Sequence, residues 1–359
     1  MNKTQSGNFF EDFSLGQTLV HGTPRTVSEA DQSLYIALTG ARHLVASSKP
    51  AAHALGFRDR PLDDLLAFHL AFGKTVNDIS LNAVANLGYA DVRFLKPVYP
   101  GDTLAAESTV IGLKENSTGK SGVVWVRSTA LNQNGEEVMT WIRWVMVHKK
   151  DVSRPAPTPI TPELPAYVTP ERVSLPAGIN FHGFETRLTG GPWLWDDYAP
   201  GERIDHPAGM TLDESDHTFA TRLYQNNARL HFDAHMMANS SFKQRLVYGG
   251  HVISVCRALS FEGLENALLI VAINAGQHAN PTLAGDTLYA RSEVIEKWAL
   301  PGRDDVGALR LRLAGLKNLR PEDLAEVMVE IEGKPKHHPN VVLDLDYTVL
   351  MPRKPKESE

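Results

Sequence analysis

Two stretches concentrate residue types able to move protons and stabilise charge: Thr221–Ala234, reading TRLYQNNARLHFDA, and 245–259, reading RLVYGGHVISVCRAL. His231 is the natural acid–base candidate, because an imidazole titrates near neutrality and can take or give a proton there. Gly249 and Gly250 let the backbone approach a ligand closely, just ahead of a helix predicted from about Val252. A helix start offers free N–H groups and a favourable dipole to developing negative charge. Gly249-Gly250 alone would be a plain tight turn; beside His231 and a helix start it is also a candidate oxyanion site. Asp233 reads as a structural acceptor for the loop after His231.

The elements that must position these groups are legible as a duplication. PVYPGDTLAAESTVI at 97–111 matches PTLAGDTLYARSEVI at 281–295, and FEDFSLGQTLVH at 10–21 matches WDDYAPGERIDH at 195–206. The offsets are 281 − 97 = 184 and 195 − 10 = 185. Two matches at nearly one offset imply a repeated module, since each supersecondary unit fixes the spacing of its own turns. The repeated Pro-x-x-x-Gly-Asp at Pro97–Asp102 and Pro281–Asp286 reads as a turn. Subtracting 185 puts Asn226 on Ala41 and His231 on Ala46, so only the second copy keeps the polar pair.

The predicted organisation is an amino-terminal lobe over 1–150, a Pro-rich linker over 151–180, a carboxy-terminal lobe over 181–352 and a flexible tail over 353–359. Seven prolines between 151 and 176 suit an extended connector. Val123–Ala130 and Val138–His148 read as strands around an Asn134-Gly135 hairpin turn, and Val306–Leu313, Val327–Ile331 and Val341–Leu350 have the same character. Helices are expected over Leu65–Val76 and Val252–Phe261. One apolar helix followed by antiparallel strands, twice over, predicts an α+β fold: two curled sheets, each wrapped around a helix, packed as a pseudo-dimer.

Bulk properties exclude several functions. A net charge of −6 and pI near 6.2 argue against nucleic acid as a partner. The single cysteine, Cys256, rules out an intrachain disulfide and fits a reducing compartment. No apolar run of signal-peptide or membrane-spanning length occurs, so a cytoplasmic location and no membrane partner are expected. There is no zinc-spaced Cys/His cluster, and neighbours His337-His338 cannot both face one metal in an extended chain, so no metal is expected. Gly-x-Gly-x-x-Gly, phosphate-loop and Gly-x-Ser-x-Gly patterns are absent.

The segment around His231 resembles the motif of MaoC-like hydratases of the hot-dog fold, Gly-Asp-x-Asn-Pro-(Leu/Ile)-His-x-Asp. His231 falls on the family histidine, Asp233 on the aspartate two beyond it, and Asn226 where the catalytic aspartate should stand. An amide cannot act as a base, though it can orient a water or a carbonyl. FGKTVNDISLNAVANLGYA at 72–90, GLKENSTGKSGVVWVR at 112–127 and RLVYGGHVISVCRALSF at 245–261 resemble the mesaconyl-CoA hydratases, also called β-methylmalyl-CoA dehydratases. That likeness runs from Phe9 to about Pro352 and includes Gln225-Asn226 and Leu230-His231-Phe232, so Asn226 is consistent with a feature of the subfamily.

The resemblance implies a tandem (double) hot-dog fold and reversible hydration of mesaconyl-CoA in acetyl-CoA assimilation through ethylmalonyl-CoA. His231 would be the acid–base, Asn226 would hold water or substrate, and Gly249 and Gly250 would bind the thioester oxygen. No cofactor is implied beyond the CoA of the substrate. A free carboxylate on that substrate needs a partner, for which His251, Arg229 and Arg245 are the candidates, His251 equally being an ordinary partly buried histidine. His278 is a weaker candidate for the site. Association into a homo-oligomer is expected. The alternatives are a hydratase of another enoyl-CoA, a thioesterase on the same scaffold, and a non-catalytic acyl-CoA binding protein.

Overall fold

The computed structural model describes residues 3–4 and 7–355. In the first half, β1 (Thr18–Val20) and β2 (Arg25–Thr26) precede four helices: α1 (Glu29–Thr39), α2 (Leu44–Ser47), α3 (Lys49–Ala54) and α4 (Asp64–Thr75). Four long strands follow: β3 (Ala83–Phe94), β4 (Thr103–Glu115), β5 (Ser121–Leu131) and β6 (Glu137–His148). The second half repeats the plan with β7 (Arg203–Asp205), β8 (Met210–Thr211), α5 (Glu214–Leu223), α6 (Ala234–Met237) and α7 (Gly249–Leu259). Then come β9 (Leu269–His278), β10 (Thr287–Ala299), β11 (Val306–Lys317), β12 (Met328–Ile331), β13 (Lys334–His337) and β14 (Val341–Pro352).

The strands form one antiparallel sheet in the order β1-β4-β5-β6-β3-β9-β14-β11-β10-β7, with β2 on β4 and β8 on β10. The halves join through β3 and β9, where Ala90 pairs with Ala275 and Val92 with Ile273. At the 185 offset Ala90 and Ala275 are equivalent positions, so a local two-fold axis passes between them. The two long helices meet near the same axis: His69 Nε2 and Ser254 Oγ, also 185 apart, lie 3.0 Å from each other. In α4 every residue from Leu65 to Thr75 is buried, so its apolar residues are spread round the helix rather than on one stripe, with His69, Lys74 and Thr75 the polar members.

The duplicated turns share one construction. Gly101 and Gly285 take φ of +96° and +92°, a region open to glycine. Asp102 Oδ2 accepts the Tyr99 N–H at 2.8 Å, and Asp286 Oδ2 accepts the Leu283 N–H at 2.9 Å.

Four details differ from expectation. α7 starts at Gly249 itself, because the two glycines supply its first turn. Residues 327–331 do not join the main sheet; β12 pairs only with β13 in a separate ribbon inserted before β14. The Pro-rich linker is strapped to the lobes: Leu113 and Ile160 exchange backbone hydrogen bonds of 2.9 and 2.8 Å, and the buried Val168 donates its N–H to Asn274 Oδ1. At the expected tail, Arg353 N–H donates to the Asp305 carbonyl and Lys354 N–H to Asp196 Oδ2, so these two residues are tied down; 356–359 lie outside the described residues. Among the described residues no helix is long and apolar enough to cross a membrane.

Candidate active site

A cavity of about 310 Å³ opens where the lobes meet, and it gathers His231, Asn226, Gly249, Tyr248 and His278 from the second half with Phe72, Ser80, Asn86, Tyr89 and Arg143 from the first. His231 lies in a short helical turn, Arg229–His231, and its Nδ1 is 3.0 Å from the Leu246 carbonyl. A carbonyl only accepts, so Nδ1 carries the proton and Nε2 keeps its lone pair. Burial pushes the imidazole down to about 4, against the smaller opposing pull of that hydrogen bond. At pH 7 the ring is therefore neutral, and its face is steadied by the Tyr248 ring at 5.4 Å.

Asn226 is buried after the Tyr224–Gln225 turn, and its Oδ1 accepts the Ala228 N–H at 2.9 Å. With the carbonyl oxygen so engaged, the amide NH₂ is the end it can turn toward a ligand as a donor. Gly249, at the first position of α7, lines the cavity, and among the described bonds its N–H has no backbone acceptor. A Cβ there would stand 2.5 Å from the His278 ring, so only glycine leaves both groups in place. His278 ends β9 near Tyr89, with Nε2 3.3 Å from the hydroxyl. Burial, then the neighbouring His231, push His278 down to about 4.

Other expected site residues fall elsewhere. Gly250 does not line the cavity; it packs beneath Tyr248 and His69, where a Cβ would meet their rings at 2.4 and 2.7 Å. His251 is fully buried in α7 and, unlike His231 and His278, lines no part of the cavity, so the structure does not bring it to the site. Arg229 is exposed and lines no part of the cavity, because its helical turn points it to solvent. Arg245 is spent on Glu214, to which its Nε donates at 2.8 Å. Asp233 caps α6 by accepting the Met236 N–H at 2.9 Å. The cation in the cavity is Arg143, visible in the sequence as a lone charge inside the apolar strand EVMTWIRWVMVH. His278, ranked below His251 from sequence, is the histidine that reaches the site. A second, more polar cavity of about 540 Å³ shares Asn226 and is lined by Lys74 and Arg222.

The equivalent place in the first lobe is filled. Applying the 185 offset, His231 becomes Ala46, Gly249 becomes Asp64, and Tyr248 becomes Asp63. Here the remaining space is about 10 Å³, lined by His43, Ala46, Asp63, Asp64 and Arg257. Asp63 caps α4 through the Leu65 N–H and holds His43 Nδ1 at 3.0 Å; Asp64 accepts the Ile270 N–H at 2.8 Å. Side chains thus occupy the volume that the second lobe leaves open.

Among the described residues, the one cluster with metal-ligand spacing is His182, Asp304 and Asp305, away from the cavity. Its Asp305 is already engaged by Arg303 at 2.6 Å and by the Phe181 N–H at 2.7 Å.

A tandem hot-dog with His231 and the start of α7 lining one cavity shares its fold with solved MaoC-like and double hot-dog structures. The sequence model of the mesaconyl-CoA hydratase family matches residues 1–319. The chain is 56% identical to the mesaconyl-CoA hydratase of Cereibacter sphaeroides, over 98% of this chain and all of that one. It is 53% identical to the β-methylmalyl-CoA dehydratase of Chloroflexus aurantiacus, over 98% of this chain and 99% of the other. A crystal structure of a MaoC domain protein dehydratase from Chloroflexus aurantiacus superposes with a TM-score of 0.95 at 52% identity, covering 99% of this chain and 100% of that one. The chain belongs to the mesaconyl-CoA hydratase family.

Proposed function

We propose that this protein hydrates mesaconyl-CoA reversibly to β-methylmalyl-CoA, the reaction its family is named for, and that it does so in acetyl-CoA assimilation through ethylmalonyl-CoA. The observation that carries the reading is the 3.0 Å contact of His231 Nδ1 with the Leu246 carbonyl in a residue that lines the cavity: an Nδ1–H donated there leaves the Nε2 lone pair to act as the base. His231 Nε2 takes a proton from water as the oxygen bonds to the β-carbon, and electrons move from the alkene onto the thioester oxygen. The Gly249 N–H at the head of α7 stabilises that oxygen while the Asn226 amide steadies water or acyl group. The imidazolium then returns its proton to the α-carbon, so atoms balance with water as the sole co-reactant. No cofactor enters other than the CoA of the substrate, whose phosphates suit the cations Lys74 and Arg222 of the adjoining cavity. A cytoplasmic location and association into a homo-oligomer belong to the same reading.

The test is direct. Purified protein mixed with mesaconyl-CoA should bleach the enoyl-thioester absorbance and yield the hydroxy ester. His231→Gln should lower kcat by about 10²–10⁴, the usual contribution of a positioned acid–base group. Release of free thiol instead of a hydroxy ester would identify a thioesterase, and a wild-type rate in His231→Gln would remove the imidazole from the mechanism.

A further inference from the structure

We infer that Arg143, with Ser80 and Asn86, is the receptor for a carboxylate on the alkene carbon distal to the thioester, so that the amino-terminal lobe selects dicarboxylic over monocarboxylic enoyl thioesters. The inference rests on the hydratase reading above and adds to it the residues that read the acyl group.

Arg143 is 0% exposed yet lines the same cavity as His231. Its Nη2 donates to Thr75 Oγ1 at 2.8 Å, its Nη1 to Ser80 Oγ at 3.3 Å, and the guanidinium lies 4.2 Å over the Phe72 ring. These partners are neutral. Nε–H has no acceptor, and no aspartate or glutamate of the described residues forms an ion pair with the group. Both polar atoms of the neighbouring Asn86 amide are likewise buried without a partner on the wall of the same cavity. A charge taken out of water without a counter-ion is costly, and a fold retains one at a binding site when the ligand brings the opposite charge. The guanidinium fork matches a carboxylate in particular. Burial lowers Arg143 only to about 10, so it remains a cation at neutral pH.

The filled pocket of the first lobe shows the same arithmetic with the anion built in. There the buried cation is Arg257, 185 residues after Phe72; it makes no ion pair, donating to Ser260 Oγ and the Ala267 carbonyl, but Asp63 lines the same small space and is held down first by His43 and then by Arg257. In the open pocket the position of Asp63 is taken by Tyr248, which is uncharged at neutral pH, so no protein carboxylate balances Arg143. Tyr248 neighbours both Arg143 and the His231 ring, which sets the receptor one side chain from the acid–base group. That separation suits a short acyl chain with a thioester at one end and a carboxylate at the other.

The experiment compares mesaconyl-CoA with (E)-2-methylbut-2-enoyl-CoA, in which a methyl group replaces the carboxylate. Wild type should strongly favour the first. Arg143→Met should reduce the ratio of the two kcat/KM values by about 10²-fold or more, the scale for losing one partner of a buried charge pair. Arg143→Lys should keep part of the preference, and Asn86→Leu should reduce it several-fold. If Arg143→Met does not fold, the Lys and Asn86 variants carry the test. A ratio unmoved in these variants, or both esters losing rate equally, overturns the receptor. Should wild type hydrate neither ester, the hydratase reading fails by itself. The receptor is then judged by calorimetric binding of both thioesters to His231→Gln with and without Arg143→Met: a preference that vanishes with Arg143 supports it, and equal binding overturns it.

Discussion

The role proposed for His231 as a base rests on the different surroundings of its two ring nitrogens. One is fixed by the Leu246 carbonyl, and burial disfavours protonation of the other, so the neutral form dominates down to about pH 4. That neutrality also gives a weaker base than a free imidazole, so the thioester oxygen must be stabilised as the proton leaves the water. In the proposed mechanism that burden falls to Gly249, a position whose packing requires glycine. Gly249→Ala retains the N–H, but its Cβ would overlap the His278 ring at 2.5 Å. Displacing either by about 1 Å costs on the order of 10²-fold in rate. We expect kcat for mesaconyl-CoA to fall by that amount while circular dichroism stays native; a wild-type kcat would detach Gly249 from the transition state.

At the scale of elements, the site depends on α4 of one lobe giving way to a turn of the other. Gly73 lies where a Cβ would stand 1.9 Å from the Tyr224 carbonyl, at the turn that presents Asn226. Gln225 in that turn takes φ of +54°, a left-handed conformation uncommon for a side-chain-bearing residue. The equivalent helix position in α7 is Ala258, where no such approach is needed. Gly73→Ala should push the turn away, destabilising the protein by about 1–3 kcal/mol. Asn226 should move with it, so Tm and kcat fall together. Loss of Tm with full activity would mean that the turn does not hold Asn226 in its working place.

For the molecule as a whole, eight imidazoles resist protonation in the folded state, burial being the largest cause in each: the buried His206 and His251 and the half-buried His231 and His278 are pushed down to about 4, His69 to about 3, and His21, His43 and His217 are lowered as well. In the unfolded chain each would titrate near 6.5. Between those limits the unfolded state binds more protons, so stability is full above about pH 6.5 and declines as pH falls toward 4. Each group contributes up to about 1.4 kcal/mol per pH unit. Asp64 acts in the opposite sense, because burial and the adjacent Asp63 raise it to about 8 and the folded state there holds the extra proton. Eight imidazoles against this one carboxyl leave a net loss on acidification. Urea unfolding at pH 7 and pH 5 should show a lower midpoint at pH 5, and equal midpoints would mean that these rings are not buried neutral.

The sequence alone determined the duplication, the central helices and the main hairpins, because repeats, apolar runs and turn residues are local signals carried by neighbours in the chain. It also pointed to His231, Asn226 and Gly249, whose positions follow from a short loop and the helix after it. What only the tertiary structure decided is which distant side chains share their space. His251 directly follows the two glycines, yet the helical twist turns it into the core. His278 and Arg143, 47 and 88 residues from His231 in the chain, converge on the cavity through the joining of β3 to β9 and β3 to β6. Arg229 and Arg245 are near in sequence but face solvent or Glu214. Proximity along a chain fixes direction for only a few residues, whereas strand pairing and burial set contacts across the whole fold.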